Sequence, residues 1–246
     1  LYHDDDLWNL TDRPLVARRV TPTTWSDAGA GFTGQFELES LGTIKGEAFV
    51  INGLTDGFSA STGGLRDARG SRESDSNNDK AFAGRLALAP STNHEFAISG
   101  YNGNYDTHGN AITGIAFDSR NSIADFTLIT ELAQFNLDDG FNSAGSNAPD
   151  TIKGILVELG YQFWLDTLNS TFLGEDFENP RFILTARYNS ASVERSAGDL
   201  DEDSYVAGLA WRPLTQFVVK TEYQWNSGEL ERKDADGFMT SVALGF

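Results

Sequence analysis

Residues Gly237 to Phe246 read GFMTSVALGF. Phe238, Thr240, Val242, Leu244 and Phe246 share one parity, and Met239, Ser241, Ala243 and Gly245 share the other. Successive strand side chains point to opposite faces. The stretch therefore predicts a strand with one bulky apolar face and one face of mostly small residues. It stops on an aromatic residue, as a strand that closes a sheet would. An edge strand of a soluble sandwich alternates in the same way, so recurrence and loop arrangement must decide between the two.

The pattern recurs upstream. Strands are predicted over 28–38, 43–52, 80–89, 94–104, 112–119, 122–135, 153–163, 181–190, 203–212, 215–226 and 237–246. In 215–226, Phe217, Val219, Thr221, Tyr223 and Trp225 alternate with Gln216, Val218, Lys220, Glu222 and Gln224. In 153–163, Ile155, Val157, Leu159, Tyr161 and Phe163 alternate with Gly154, Leu156, Glu158, Gly160 and Gln162. Tyr161, Phe163, Tyr188, Tyr205, Trp211, Trp225 and Phe246 stand towards the ends of the apolar faces, where interface girdles belong.

Connection lengths sort by side. Glu39–Gly42, Pro90–Asn93, Arg120–Asn121 and Pro213–Leu214 are short; 53–79, 136–152, 191–202 and 227–236 are long. Counting back from Phe246, the short turns fall at one end and these long loops at the other, the arrangement of outer-membrane barrels. Trp164–Pro180 is a long link at the short-turn end, with room for a short helix. The expected fold class is all-β, an antiparallel transmembrane β-barrel of about 12–16 strands when complete. An even count requires a further strand before residue 28. Leu7–Val20 is one candidate, although Pro14 opposes a regular central strand; strands upstream of Leu1 are the other. Residues 1–27 are expected to lead into the barrel and 28–246 to build it.

Composition permits this. The chain has 246 residues, a net charge of −18, 25 glycines and no cysteine. No apolar run reaches the length of a membrane helix, while barrel strands keep mean hydropathy low, here −0.34. The negative field disfavours nucleic acid as a partner. The chain opens on the acidic run Asp4 to Asp6, so an exported protein is expected to have lost a leader before it.

The final strand resembles the terminal strand of bacterial outer-membrane barrels, in which a C-terminal Phe recurs. Leu10 to Phe32, and within it Pro22-Thr23-Thr24-Trp25-Ser26-Asp27-Ala28-Gly29, resembles a segment of the phosphate-selective porin O/P family. Phe49–Ser74, a strand running into a Gly-rich loop with Gly64-Leu65-Arg66, is similar to that family too. The resemblance implies a trimeric diffusion pore in the outer membrane of a Gram-negative envelope, with lipid, lipopolysaccharide and small hydrophilic solutes or ions as partners. It implies no cofactor. Family members owe phosphate preference to basic pore residues. Here 18 basic residues face 36 acidic ones, so the pore is carried over and the selectivity is not. The acid excess suggests weak cation preference instead.

A pore needs inward charges rather than a catalytic group. Parity places Glu37, Lys45, Glu47, Arg85, Glu95, Glu131, Glu158, Arg181, Arg187, Arg212, Lys220 and Glu222 on the lumen face. An Arg or Lys facing lipid at mid-depth costs about 2–4 kcal/mol. Arg13, Arg18 and Arg19, with Arg66, Arg69 and Arg72, are candidates for a constriction. They would line it if their loops fold inward, and would be solvated if the loops stay outside. Asp75, Asn77, Asn78 and Asp79 carry oxygens of the kind Ca²⁺ takes, but EF-hand spacing is absent and no metal site is assigned. Asp199, Asp201, Glu202 and Asp203 form a second acidic group, expected in an outer loop. His3, His94 and His108 are widely separated and no nucleophile motif occurs, so no enzymatic activity is expected. Two rival readings are a non-transport barrel (structural, adhesin or sheath for an electron-transfer partner) and a soluble acidic sandwich.

Overall fold

The computed structural model describes residues 7–21, 23, 25–58, 64–70, 77–138, 148–196, 198–229 and 235–245. Eleven antiparallel strands form one sheet in sequence order: β1 (Gly29–Leu38), β2 (Gly42–Ile51), β3 (Ala81–Ser91), β4 (His94–Asn104), β5 (Ala111–Ile123), β6 (Phe126–Leu137), β7 (Thr151–Phe163), β8 (Arg181–Glu194), β9 (Leu200–Leu214), β10 (Phe217–Gly228) and β11 (Gly237–Leu244). Every neighbour is the next strand in the chain, so each hairpin alternates the end at which the chain turns. Among the described residues β1 and β11 do not pair with each other.

The predicted strands all form, and their ends move by a few residues. Two turns fall elsewhere than expected. Arg120 and Asn121 lie inside β5, and the turn is at Ala124–Asp125, where Ala124 takes φ 51°. The β9–β10 turn is at Thr215–Gln216, so Pro213 and Leu214 end β9. In both cases strand pairing runs past residues that read locally as a turn. The link 164–180 does hold a short 3₁₀ turn, Asp166–Leu168.

Leu7–Val20 is not a strand. Its residues form bends and a one-turn π-helix, Val16–Val20, packed on one face of β6, β7 and β8. Further contacts reach β9, β10 and β11: Arg19 meets Glu202, Lys220 meets Leu10 and Thr11 meets Ser241. We call the side of the sheet on which this segment lies the inner face.

Register explains where the segment sits. Thr33, Glu47, Arg85, Ser99, Ala116, Ala133, Gly154, Ala191 and Glu202 lie across the sheet in one row of the inner face. From β5 to β8 the row contains only Ala and Gly, which leaves room for a helical turn. A Cβ added at Gly154 would stand 2.8 Å from Val20 Cγ2 and 3.1 Å from Val16 Cγ2. Nearer the short-turn end, a Cβ at Gly208 would meet Leu10 Cδ2 at 2.4 Å.

Candidate functional site: the inner face

Burial is reversed relative to a water-soluble sheet. Val242, Phe82, Leu86, Ile98 and Leu184 are each at least half exposed on the outer face. On the inner face Lys220 and Glu222 are 2% exposed, and Glu158, Arg187 and Arg212 are also buried. Paired residues in an antiparallel ladder share a face. By that register all the predicted lumen residues, Glu37, Lys45, Glu47, Arg85, Glu95, Glu131, Glu158, Arg181, Arg187, Arg212, Lys220 and Glu222, lie on the inner side. Asp118 and Arg120 belong with them: Asp118 lies within the predicted strand 112–119, and Arg120 falls where a turn was expected but β5 continues.

The inner face has two halves. On β1–β5 the charges form an open lateral ladder. Lys45 Nζ reaches Glu95 at 2.7 Å, and Arg85 bridges Glu95 at 3.1 Å and Asp118 at 2.7 Å. Thr43 donates to Glu37 at the edge. These groups are only partly buried, so each pair is worth little on its own. On β6–β11 the charges instead hold residues 8–21. Arg212 donates to the Trp8 carbonyl and to Asn9, and Lys220 to the Leu10 carbonyl. Glu222 accepts from the Thr11 and Asp12 amides. Arg187 donates to the Asp12 carbonyl at 2.7 Å, Asn189 accepts from the Leu15 amide at 2.7 Å, and Thr21 donates to Glu131. A segment with few ladder bonds of its own thus has its backbone groups satisfied by side chains, as burial demands.

The constriction candidates separate. Arg19 is buried and pairs with Glu202 at 3.4 Å, and Arg18 pairs locally with Asp12. Arg13 lies in the same segment, partly buried. Arg66 is exposed, and Arg69 donates to the Thr23 carbonyl at 2.7 Å, tying its loop to the stretch before β1. Arg72, Asp75, Phe246 and His3 lie outside the described residues. The acidic group near 200 is not a single outer loop. Asp199 stays in the loop and accepts from the Arg195 amide, while Asp201, Glu202 and Asp203 are drawn into β9, where alternation turns Glu202 inward to Arg19 and Asp203 outward to the Tyr188 hydroxyl. Among the described residues no cluster of metal-ligating side chains occurs.

At the long-loop end the inner face is apolar, which the parity reading did not anticipate. Tyr101, Phe135, Ile152 and Val193 are inner residues there, packed with Leu54, Phe58 and Leu65 from the loop after β2. Trp25 and Phe135 flank Tyr101, and Phe58 meets Tyr105 edge-on. Gly114 makes room, since a Cβ there would stand 2.2 Å from the Phe135 ring. Beside this cluster, burial of Asp106 opposes its ionisation. Hydrogen bonds from the Asn110 side chain and amide and from the His108 amide outweigh that and hold the carboxyl below its ordinary range.

The outer face carries aromatics in two bands. Near the short turns Phe126, Tyr161, Phe163, Phe182 and Trp164 stack in series. Nearer the long loops Tyr188 packs on Tyr205, and Tyr223 on Trp225. Phe182 and Tyr188 stand six residues apart on β8, about 20 Å along the strand.

No protein-family model and no curated protein matches the sequence. Among solved structures, the chain is similar to a bacterial polysaccharide outer membrane secretin, with a TM-score of 0.43 and 10% identity over 88% of this chain. The match spans 66% of that protein's length. A likeness at that level does not establish a shared fold.

Proposed function

We propose that the chain forms wall of a bacterial outer-membrane β-barrel whose inner face lets small hydrophilic solutes or ions diffuse passively. The observation that carries the reading is the reversed burial: bulky apolar side chains outside, charged side chains inside. The outer surface matches a hydrocarbon band flanked by aromatic girdles. A helical span is not needed for it, and among the described residues no helix is long and apolar enough to be one. Lipid and lipopolysaccharide would contact the outer face, and a trimer would pack through part of it.

The water path would run along β1–β5, beside the ladder Lys45–Glu95–Arg85–Asp118. Acids and bases are nearly balanced on the inner face, so the net charge of −18 resides mainly elsewhere. Weak ionic preference follows from that balance rather than the cation preference the composition suggested. A specific observation favours a second reading, a barrel that does not conduct: residues 8–21 and the apolar loop cluster occupy much of the inner face. Planar-bilayer recording separates the two. Ohmic single-channel steps support the diffusion pore, and insertion without conductance rejects it.

A further inference from the structure

The link between β7 and β8 departs from every other connection at the short-turn end. Those connections take two or three residues, at 39–41, 92–93, 124–125 and 215–216. This one takes seventeen, 164–180, although Phe163 and Phe182 are direct register partners that a tight turn would join. A connection of that length in a compact wall is usually functional.

The excursion is folded. Asp166–Leu168 forms a 3₁₀ turn, and the amides of Thr171, Gly174, Glu175 and Phe177 donate to carbonyls within the link. Trp164 stacks on Phe182 and donates from Nε1 to Asn169 at 2.7 Å. Phe177 meets Trp211 edge-on. Both ends of the link are thereby clamped to the outer face. A Cβ at Gly174 would stand 2.6 Å from the Leu168 carbonyl oxygen and 2.9 Å from the Trp164 ring, so the chain between the clamps closes tightly.

Its surface is unlike that of a turn. Between the clamps Phe172 is 76% exposed, and Leu165 is 53% exposed. Asp166, Glu175, Asp176 and Glu178 flank Phe172 in the chain and are exposed, and their side chains make no ion pair or hydrogen bond among the described residues. The link holds no Lys, Arg or His. An aromatic knob on a preorganised base with charges of one sign matches the anatomy of an interface hot spot. A bilayer surface fits less well, because anionic lipid attracts basic segments and repels acidic ones.

We infer that the link is a docking knob for a second protein on the short-turn side, one that presents an apolar pocket rimmed by Lys or Arg. Phe172 and Leu165 enter the pocket, and the four carboxylates steer and orient the rim. The contact rests on the outer-membrane reading only for its compartment, the periplasm, and does not require the wall to conduct.

The test replaces Phe172 by the photoreactive p-benzoylphenylalanine in the full chain, irradiates intact cells of the bacterium that makes it, and identifies the adducts by mass spectrometry. A discrete protein adduct is expected, with a crosslinked peptide rich in Lys and Arg. Glu175→Gln, Asp176→Asn and Glu178→Gln together should cut its yield at least about fivefold. The same probe at Leu41, 58% exposed in the β1–β2 turn, should not give it. No protein adduct, an adduct to lipid alone, a crosslinked peptide without basic residues, an undiminished yield in the neutralised variant, or an equal yield from Leu41 would each overturn the inference. Planar-bilayer recording of the neutralised variant tests the pore separately.

Discussion

Arg187 donates from Nε to Glu158 at 2.8 Å across β7 and β8, and both side chains are almost fully buried on the inner face. The same guanidinium donates to the Asp12 carbonyl. One side chain thus joins the wall to the segment lying on it. Removing one partner of a buried pair strands the other charge and costs about 3–5 kcal/mol, whereas replacing both is close to neutral. Arg187→Met is therefore expected to lower unfolding stability in micelles by about that amount. Arg187→Met with Glu158→Leu should recover most of it. A single-variant loss below about 1 kcal/mol would show the pair to be solvated.

The seat of the π-helix gives a second expectation. Gly154→Leu places a side chain against Val16, Val20 and the Ser190 carbonyl, so the turn must lift from the sheet. Native protein should resist trypsin after Arg18 and Arg19, because cleavage requires local opening. The variant should be cut there at least about tenfold faster. Equal protection would mean that the turn does not need the space left by Gly154.

Most of the strand architecture was legible because alternation is local and repeats: Phe217 to Trp225 reads the same way in isolation as in the sheet. Arg120 was not legible, since nothing near Arg120–Asn121 says that pairing with β4 and β6 continues to Ile123. The inner position of residues 8–21 was open in the sequence for a related reason. Their partners Glu222, Lys220 and Arg187 lie more than 170 residues away, and no local pattern encodes that pairing. The clearest available signal was the run of Ala116, Ala133, Gly154 and Ala191, which becomes a groove only once register aligns it.

Asp106 provides a pH expectation. Its folded carboxyl titrates below the ordinary range, so the bonds to Asn110 and His108 contribute at neutral pH and persist down to the ordinary carboxylate range. The contribution is then lost as pH falls further, through the lowered value. Protection of the His108 and Asn110 amides, measured relative to their intrinsic exchange rates, should fall in that acid window, and Asp106→Asn should abolish the pH dependence of the protection. Protection that stays constant through the acid window would contradict the assignment.

Arg85 sits at the centre of the open ladder, between Glu95 and Asp118. If ions pass along β1–β5, Arg85→Glu should shift the reversal potential in asymmetric KCl towards cation selectivity while leaving the strand in place. An unchanged reversal potential in a conducting variant would move the path away from this ladder.

The central claim is that the bulky outer parity meets hydrocarbon and the charged parity meets enclosed water. The chain has no cysteine, so single spin labels can be attached without background. In liposomes, labels at Leu86, Leu159 and Val242 should collide with oxygen more than with a water-soluble nickel chelate, and labels at Thr33 and Gln35 should show the reverse. Nickel-dominated collisions at Leu86, Leu159 and Val242 would contradict the account at its root.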